Sequence, residues 1–149
     1  MYKICNDIYN SINSTVNVKE VSCDMCNQIM EKIIEVYVDN EKKELWLWDK
    51  LNNYEALSDS KGWTYIQNFV LDENCIMFFN QDEEKKMFII SNGKDLQYVL
   101  SETSGFEFYI TDINCSYLIC FNHHDILYGC GKAKKWIAEL KNLIENEGV

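Results

Sequence analysis

The fold of this chain is decided by the stretch Tyr117-Leu-Ile-Cys-Phe-Asn-His-His-Asp-Ile-Leu-Tyr-Gly-Cys-Gly131. Two apolar runs, which start at Tyr117 and at Ile126, flank the polar cluster Asn122-His-His-Asp125. Strand-length apolar runs on either side of turn-forming residues are typical of a β-hairpin. The first run is apolar at every position, which predicts a central strand with helices covering at least one face.

Three further runs of strand length precede this hairpin, at residues 75–79, 87–90 and 106–110. The first two are joined by Asn80-Gln-Asp-Glu-Glu-Lys-Lys86, whose charges predict a solvated hairpin loop. Residues 16–21 form at best a weak strand. Together these patterns predict a mostly antiparallel sheet of about five strands.

Apolar residues recur every three or four positions near both ends of the chain, which predicts helices. The N-terminal helices cover residues 4–12 and 22–37, and a C-terminal amphipathic helix over 132–145 packs on the sheet through a stripe that includes Trp136. Shorter helices are predicted at 63–70 and 95–101, and residues 45–51 fit either a helix or a strand. Helices segregated from hairpin-connected strands indicate a single α+β domain over residues 1–149.

The charge of the chain limits its partners. The net charge is −10, and all fourteen basic residues are lysines. Such a chain would be repelled by nucleic-acid phosphates and lacks arginine, their usual reader, so we expect no nucleic-acid partner. The negative electrostatic field of such a chain favours a basic protein partner instead. The chain has neither a membrane-length apolar run nor a signal-like N-terminus, so we expect a cytoplasmic protein without a membrane partner.

The seven cysteines are odd in number and lie mostly in apolar runs, which is typical of buried thiols in a reducing compartment. Cys23-Asp-Met-Cys26 matches the C-x-x-C spacing of zinc and redox sites. No second such pair completes a four-thiolate site, although His123 and His124 are conceivable further ligands. We therefore expect neither a metal nor a cofactor.

Both histidines of the chain lie in His123-His124-Asp125, a cluster that suits metal binding or acid–base chemistry. The alternative is a four-residue hairpin loop, in which Asn122 and Asp125 accept backbone hydrogen bonds and a histidine takes the left-handed conformation. The loop then acts as a structural turn or a binding epitope.

A group of aromatic residues precedes the main strands: Trp46, Trp48, Trp63 and Tyr65. Tryptophan and tyrosine dominate interaction hot spots, so these side chains are candidates for a recognition surface. They are equally suited to a hydrophobic core. Trp46 and Trp48, together with the residues of the hairpin loop, are the candidate binding residues.

The segment 63–137 resembles a group of small, uncharacterised bacterial cytosolic domains. The resemblance rests on Gly62-Trp63, Phe108-Tyr-Ile-Thr111, the hairpin with its Asn-His-His-Asp phrase, and a terminal helix that contains Trp136. In size, acidity and order of elements, the chain is also similar to SUKH-type immunity proteins of polymorphic toxin systems. This similarity implies a non-enzymatic binding protein that neutralises a basic toxin domain. The alternative is a metal-dependent enzyme or regulator that uses His123, His124 and Asp125.

Overall fold

Seven antiparallel strands form one sheet in the computed structural model, which describes residues 1–42 and 46–147. In chain order they are β1 (Val18–Glu20), β2 (Tyr54–Ser58), β3 (Cys75–Phe78), β4 (Phe88–Ile90), β5 (Phe108–Thr111), β6 (Tyr117–Phe121) and β7 (Ile126–Gly131). Across the sheet the order is β1-β4-β3-β5-β6-β7-β2. The fold is therefore α+β with a single sheet, as predicted.

The prediction of about five strands was wrong, because the described residues contain seven. The two additional strands, β1 and β2, are the edges of the sheet. In β1 the side chains of Lys19 and Glu20 are exposed, and in β2 only Leu57 is buried. An edge strand has a single neighbour and needs little apolar surface, so its apolar pattern is weak.

The central hairpin forms as predicted. Strand β6 pairs with β5 and with β7, and all its side chains are buried. Alternate residues of β6 enter two different hydrophobic cores, one on each face of the sheet: Ile119 belongs to one and Leu118 to the other. This explains why the β6 sequence is apolar at every position.

Five α-helices lie within the described residues: α1 (Ile4–Ser11), α2 (Cys23–Tyr37), α3 (Ile66–Val70), α4 (Gly93–Glu102) and α5 (Lys132–Glu147). Helices α1, α3, α4 and α5 cover one face of the sheet, and α2 covers the other together with a 3₁₀ turn, Leu47–Lys50. That turn settles most of the ambiguous stretch 45–51, whose first residue lies outside the described residues. None of the described helices has both the length and the apolar character needed to cross a membrane.

Helix α5 packs closely on β7 because position 129 is a glycine. A Cβ atom at Gly129 would lie 2.5 Å from Ile137 Cγ1 and 2.7 Å from the backbone oxygen of Ala133. Ala133 and Ile137 are fully buried, whereas Trp136 is half-buried and packs against Phe69, with ring centroids 5.1 Å apart. The predicted helix is thus confirmed, but Trp136 lies at the margin of its buried stripe.

Candidate functional site

The loop between β6 and β7 is a tight hairpin turn. The Asp125 N–H donates to the Asn122 carbonyl at 3.1 Å, and the Asn122 N–H donates to the Ile126 carbonyl at 3.2 Å. Asp125 has φ 59°, in the left-handed region that aspartate tolerates better than most residues. The residue in this conformation is thus Asp125 and not one of the histidines. A type I turn followed by a left-handed residue is a common hairpin connection.

Asn122 holds the turn from inside. Its side chain is buried, and its Oδ1 accepts hydrogen bonds from the backbone N–H groups of His124 and Ile126, both at 3.0 Å. Because Asn122 and Asp125 specify the backbone of the turn, the side chains of His123 and His124 are not needed for it. Both histidines are exposed.

A buried carboxylate lies directly behind His123. The side chain of Glu107 is only 6% exposed, and its Oε2 accepts a hydrogen bond from the His123 backbone N–H at 2.7 Å and contacts His123 Nδ1. Its Oε1 accepts from Asn80 Nδ2 at 2.9 Å and from Trp48 Nε1 at 3.3 Å. Four donor groups therefore surround one carboxylate.

The donors around Glu107 are themselves held by a buried network. Asn80 Oδ1 accepts from the Tyr109 hydroxyl at 2.7 Å, and that hydroxyl accepts from the Trp48 backbone N–H at 3.2 Å. Burial raises the pKa of Tyr109 far above its ordinary value, so the hydroxyl keeps its proton and remains a donor. The network therefore connects the turn that carries Trp48 to the centre of the sheet.

The protonation state of Glu107 determines how His123 is oriented. Burial acts to raise the pKa of Glu107, but the hydrogen bonds from His123, Asn80 and Trp48 prevail and hold that pKa below its ordinary value. An ionised carboxylate only accepts hydrogen bonds, so Nδ1 of His123 must donate to it. The second ring nitrogen, Nε2, is then the one available to a partner, a substrate or a metal.

Two tryptophans complete the surface around the histidines. The rings of Trp46 and Trp48 stack with centroids 6.4 Å apart and planes within 7°. The His123 ring meets both tryptophan rings edge-on, with centroids 5.7 Å and 5.8 Å apart. The centroid of the His124 ring lies 5.9 Å from that of Trp48 and 4.0 Å from that of His123. We call these four residues (Trp46, Trp48, His123 and His124) the hairpin-tip patch.

The exposure of the hairpin-tip patch is uneven. Trp48 is buried and Trp46 is half-buried, while the His123 side chain remains 48% exposed. Trp48 thus belongs to the hydrophobic core and supports the rings of Trp46 and the histidines. Trp46 and the two histidines provide the accessible surface. The structure places the candidate residues of the loop and of the tryptophan pair at one location.

A pocket of about 420 Å³ lies at the other side of the same hairpin. Its apolar walls are Trp63, Phe106, Phe108 and Phe121, which belong to the core on the face that carries α3 and α4. Its lining also includes Glu107, His123 and Asp125. The hairpin tip therefore separates an aromatic surface from an aromatic-walled cavity.

The sequence reasoning missed Glu107, Asn80 and Tyr109. A signal for Glu107 was present: it is an acidic residue in the apolar run 106–110, on the side of the strand that also carries the buried Tyr109. A buried acidic residue needs partners, so its position marks a polar site. Asn80 lay in a segment interpreted as a solvated loop, yet it is buried.

The C-x-x-C pair lies at the start of α2, where the Ser22 hydroxyl caps the helix by accepting from the Met25 N–H at 3.3 Å. Cys23 is exposed, and Cys26 is half-buried with its Sγ 3.7 Å from the Val21 carbonyl. Within residues 1–42 and 46–147, no three His, Cys, Asp or Glu side chains are grouped so that they can share a metal ion. The conceivable zinc site of Cys23, Cys26, His123 and His124 is therefore not assembled.

The fold and the site define a class of protein: an α+β domain in which a buried glutamate orients a histidine at the tip of the central hairpin. The chain belongs to DUF6756, a family of unknown function, whose model matches residues 4–141. That range includes every strand and every residue of the site described above. No curated protein and no solved structure matches the chain.

Proposed function

We propose that this protein is a non-enzymatic binding protein that holds a basic protein partner at the hairpin-tip patch. The observation that carries this proposal is that the exposed imidazole of His123 is held in one orientation. The Glu107 carboxylate contacts its Nδ1, and the rings of Trp46 and Trp48 pack against the imidazole. The similarity to SUKH-type immunity proteins suggests that the partner is a basic toxin domain.

Fixed aromatic side chains are well suited to binding. Association requires interface side chains to lose rotational freedom, and this penalty is small where packing and hydrogen bonds already restrict them. Trp46 and His123 are restricted in this way before a partner arrives. Tryptophan is also among the residues that contribute most to interface affinity.

The charge of the protein supports a basic partner. The net charge is −10, and the exposed acidic residues Asp49 and Asp125 lie next to Trp48 and His124 in the chain. An acidic surface accelerates encounter with a basic protein, and added salt screens this attraction. The association rate constant should therefore fall as the salt concentration rises from about 0.05 M to about 0.5 M.

The test uses toxin domains encoded beside this gene in its own genome. Co-expression should protect the cells and retain the toxin domain on the purified protein. Trp46→Ala and His123→Ala should each weaken the complex by about tenfold or more, mainly through faster dissociation. Leu143→Ala, at an exposed position of α5, is the matched control and should bind like the wild type.

Two results would contradict the proposal. One is that no neighbouring toxin is neutralised and no protein partner is retained. The other is a complex whose affinity is unchanged by both tip variants, since the partner would then bind elsewhere.

A second candidate function is a metal-dependent enzyme or regulator that uses His123. The observation that favours it is the contact between Glu107 and Nδ1, because metal-binding histidines commonly pair their other ring nitrogen with a carboxylate. Elemental analysis of protein purified from the native host tests this candidate. About one zinc per chain, lost in His123→Ala, would replace the binding proposal by this one.

A further inference from the structure

The pocket behind the hairpin has the chemistry of a site for a cation with an apolar stem. Trp63, Phe106 and Phe121 provide aromatic walls. Its volume of about 420 Å³ is near the lower end of the ~300–1,000 Å³ range of ligand sites. It is therefore large enough for one long side chain and too small for a folded segment of a partner.

The charges around this pocket are negative. Glu107 and Asp125 are the acidic residues of the lining, and among the described residues no lysine lines it. The Glu107 carboxylate is already held by Asn80, Trp48 and His123, so Asp125, which is exposed, is the acidic side chain open to a ligand. Hydrogen bonds hold the pKa of Glu107 below its ordinary value, so this carboxylate is ionised at neutral pH. Ser60, Ser101 and Ser104 add hydroxyl groups that can accept hydrogen bonds.

We propose that this pocket receives an arginine side chain of the protein partner. The inference rests on the proposed function, because it names the residue by which the basic partner is anchored. A guanidinium group is planar, stacks on aromatic rings and donates paired hydrogen bonds to carboxylates. The walls formed by Trp63 and Phe106, and the carboxylate of Asp125, provide both kinds of contact.

The composition of the chain is consistent with a foreign occupant. The chain contains no arginine, so a second copy of it cannot supply the guanidinium. The pocket and the hairpin-tip patch lie on opposite sides of one hairpin and share His123. A partner that straddles the tip therefore contacts the patch and inserts its arginine in one binding event.

The pocket is tested first without any partner. N-acetylarginine methylamide is titrated into the full chain while the indole N–H resonance of Trp63 is followed by NMR. The neutral isostere N-acetylcitrulline methylamide is the matched ligand control. We expect saturable shifts with the arginine compound and at least tenfold weaker binding of the citrulline compound.

A variant pair locates the binding in the protein. Asp125→Asn removes a charge from the lining while keeping a residue that tolerates the left-handed conformation, so the turn should persist. It should weaken arginine binding about fivefold or more. Asp72→Asn lines a different groove and should leave the binding unchanged. Equal binding of the two ligands, or an unchanged affinity in Asp125→Asn, would overturn the inference.

The two proposals fail in different ways. If the arginine compound binds as described but no partner depends on Trp46 and His123, the proposed function is wrong and the pocket is a guanidinium site of another purpose. If a partner depends on the hairpin-tip patch but tolerates replacement of each of its arginines by citrulline or alanine, only the pocket inference is wrong.

Discussion

Glu107 is the residue on which the site depends. It is buried, it accepts hydrogen bonds from His123, Asn80 and Trp48, and it holds an imidazole that is half exposed. A buried carboxylate without partners would be strongly destabilising, so the surrounding donors and the acid stabilise one another. The same contacts that stabilise the carboxylate fix the orientation of His123.

Glu107→Gln tests this dependence at the level of stability. The glutamine amide brings a donor group to a place where four donors converge, so at least one hydrogen bond is lost. We expect the free energy of unfolding to fall by about 1–3 kcal/mol in urea denaturation. Glu139→Gln, at a side chain that is 62% exposed, is the control and should change it by less than ~0.5 kcal/mol. Equal stability of both variants would contradict the network.

The pH dependence of stability gives a second residue-level test. The pKa of Glu107 is lower in the folded protein than its ordinary value of 4.5, so the unfolded chain takes up the proton first as pH falls. The stabilisation from the ionised Glu107 is thus present above the ordinary pKa and is lost as pH falls through the folded-state pKa. The pKa values of Asp7 and Glu84 are also lowered by hydrogen bonds that outweigh burial, so the wild type alone does not isolate Glu107.

The difference between wild type and Glu107→Gln isolates this contribution. Urea denaturation from about pH 7 down to about pH 3 should show the stability difference shrinking, because protonated Glu107 is neutral like glutamine. A difference that is constant over this range would mean that Glu107 has the same pKa in the folded and the unfolded chain, and would contradict the hydrogen-bonded carboxylate.

At the level of elements, the site depends on how the strands and helices around the hairpin are placed. Glu107 immediately precedes strand β5, which holds it in place. The β6–β7 hairpin positions His123, and the 3₁₀ turn Leu47–Lys50 positions Trp48. Helix α5 packs against β7 through the gap left by Gly129 and so supports the hairpin from one face.

Gly129→Ala tests this packing. The added methyl group would lie within 2.5 Å of Ile137 Cγ1 and 2.7 Å of the Ala133 oxygen, which forces α5 away from the sheet. We expect a loss of about 1–3 kcal/mol in the free energy of unfolding by urea denaturation. The control is Leu143→Ala, which is exposed on the same helix and should change stability by less than ~0.5 kcal/mol. A Gly129→Ala protein as stable as the wild type would show that α5 is not held this closely.

The elements that could be predicted from sequence are those with a strong local pattern. The β6–β7 hairpin and α5 have continuous or periodic apolar residues, and both form as expected. Strands β1 and β2 bury little and were missed as members of the sheet. Strand β2 joins it by pairing Tyr54 with Cys130, a contact between distant parts of the chain that no local pattern contains.

The parts of the candidate site that have a strong local sequence pattern could also be predicted. The polar cluster at the hairpin tip and the pair Trp46 and Trp48 are visible as compositional features of the sequence. The contacts of Glu107 with His123 and Trp48 span 16 and 59 residues, and they arise only when β5, the hairpin and the 3₁₀ turn are assembled. Long-range polar contacts of this kind are set by tertiary structure.

At the level of the whole molecule, the two faces of the sheet contribute different parts of the site. The face covered by α2 carries the tryptophans of the hairpin-tip patch, and the face covered by α3 and α4 carries the aromatic-walled pocket. The hairpin tip is where these two surfaces meet. The net charge of −10 would favour the basic partner that we propose for this site.

Hydrogen–deuterium exchange of the full chain, free and bound to the protein partner sought by co-expression, tests the central claim most directly. It reports on every backbone amide outside fast exchange and does not presuppose the interface. We predict new protection on binding at residues 46–49 and 122–126, with no change along the solvent-facing side of α5. Protection confined to α5 or to the edge strand β1, with residues 122–126 unchanged, would contradict the assignment of the hairpin tip as the binding surface.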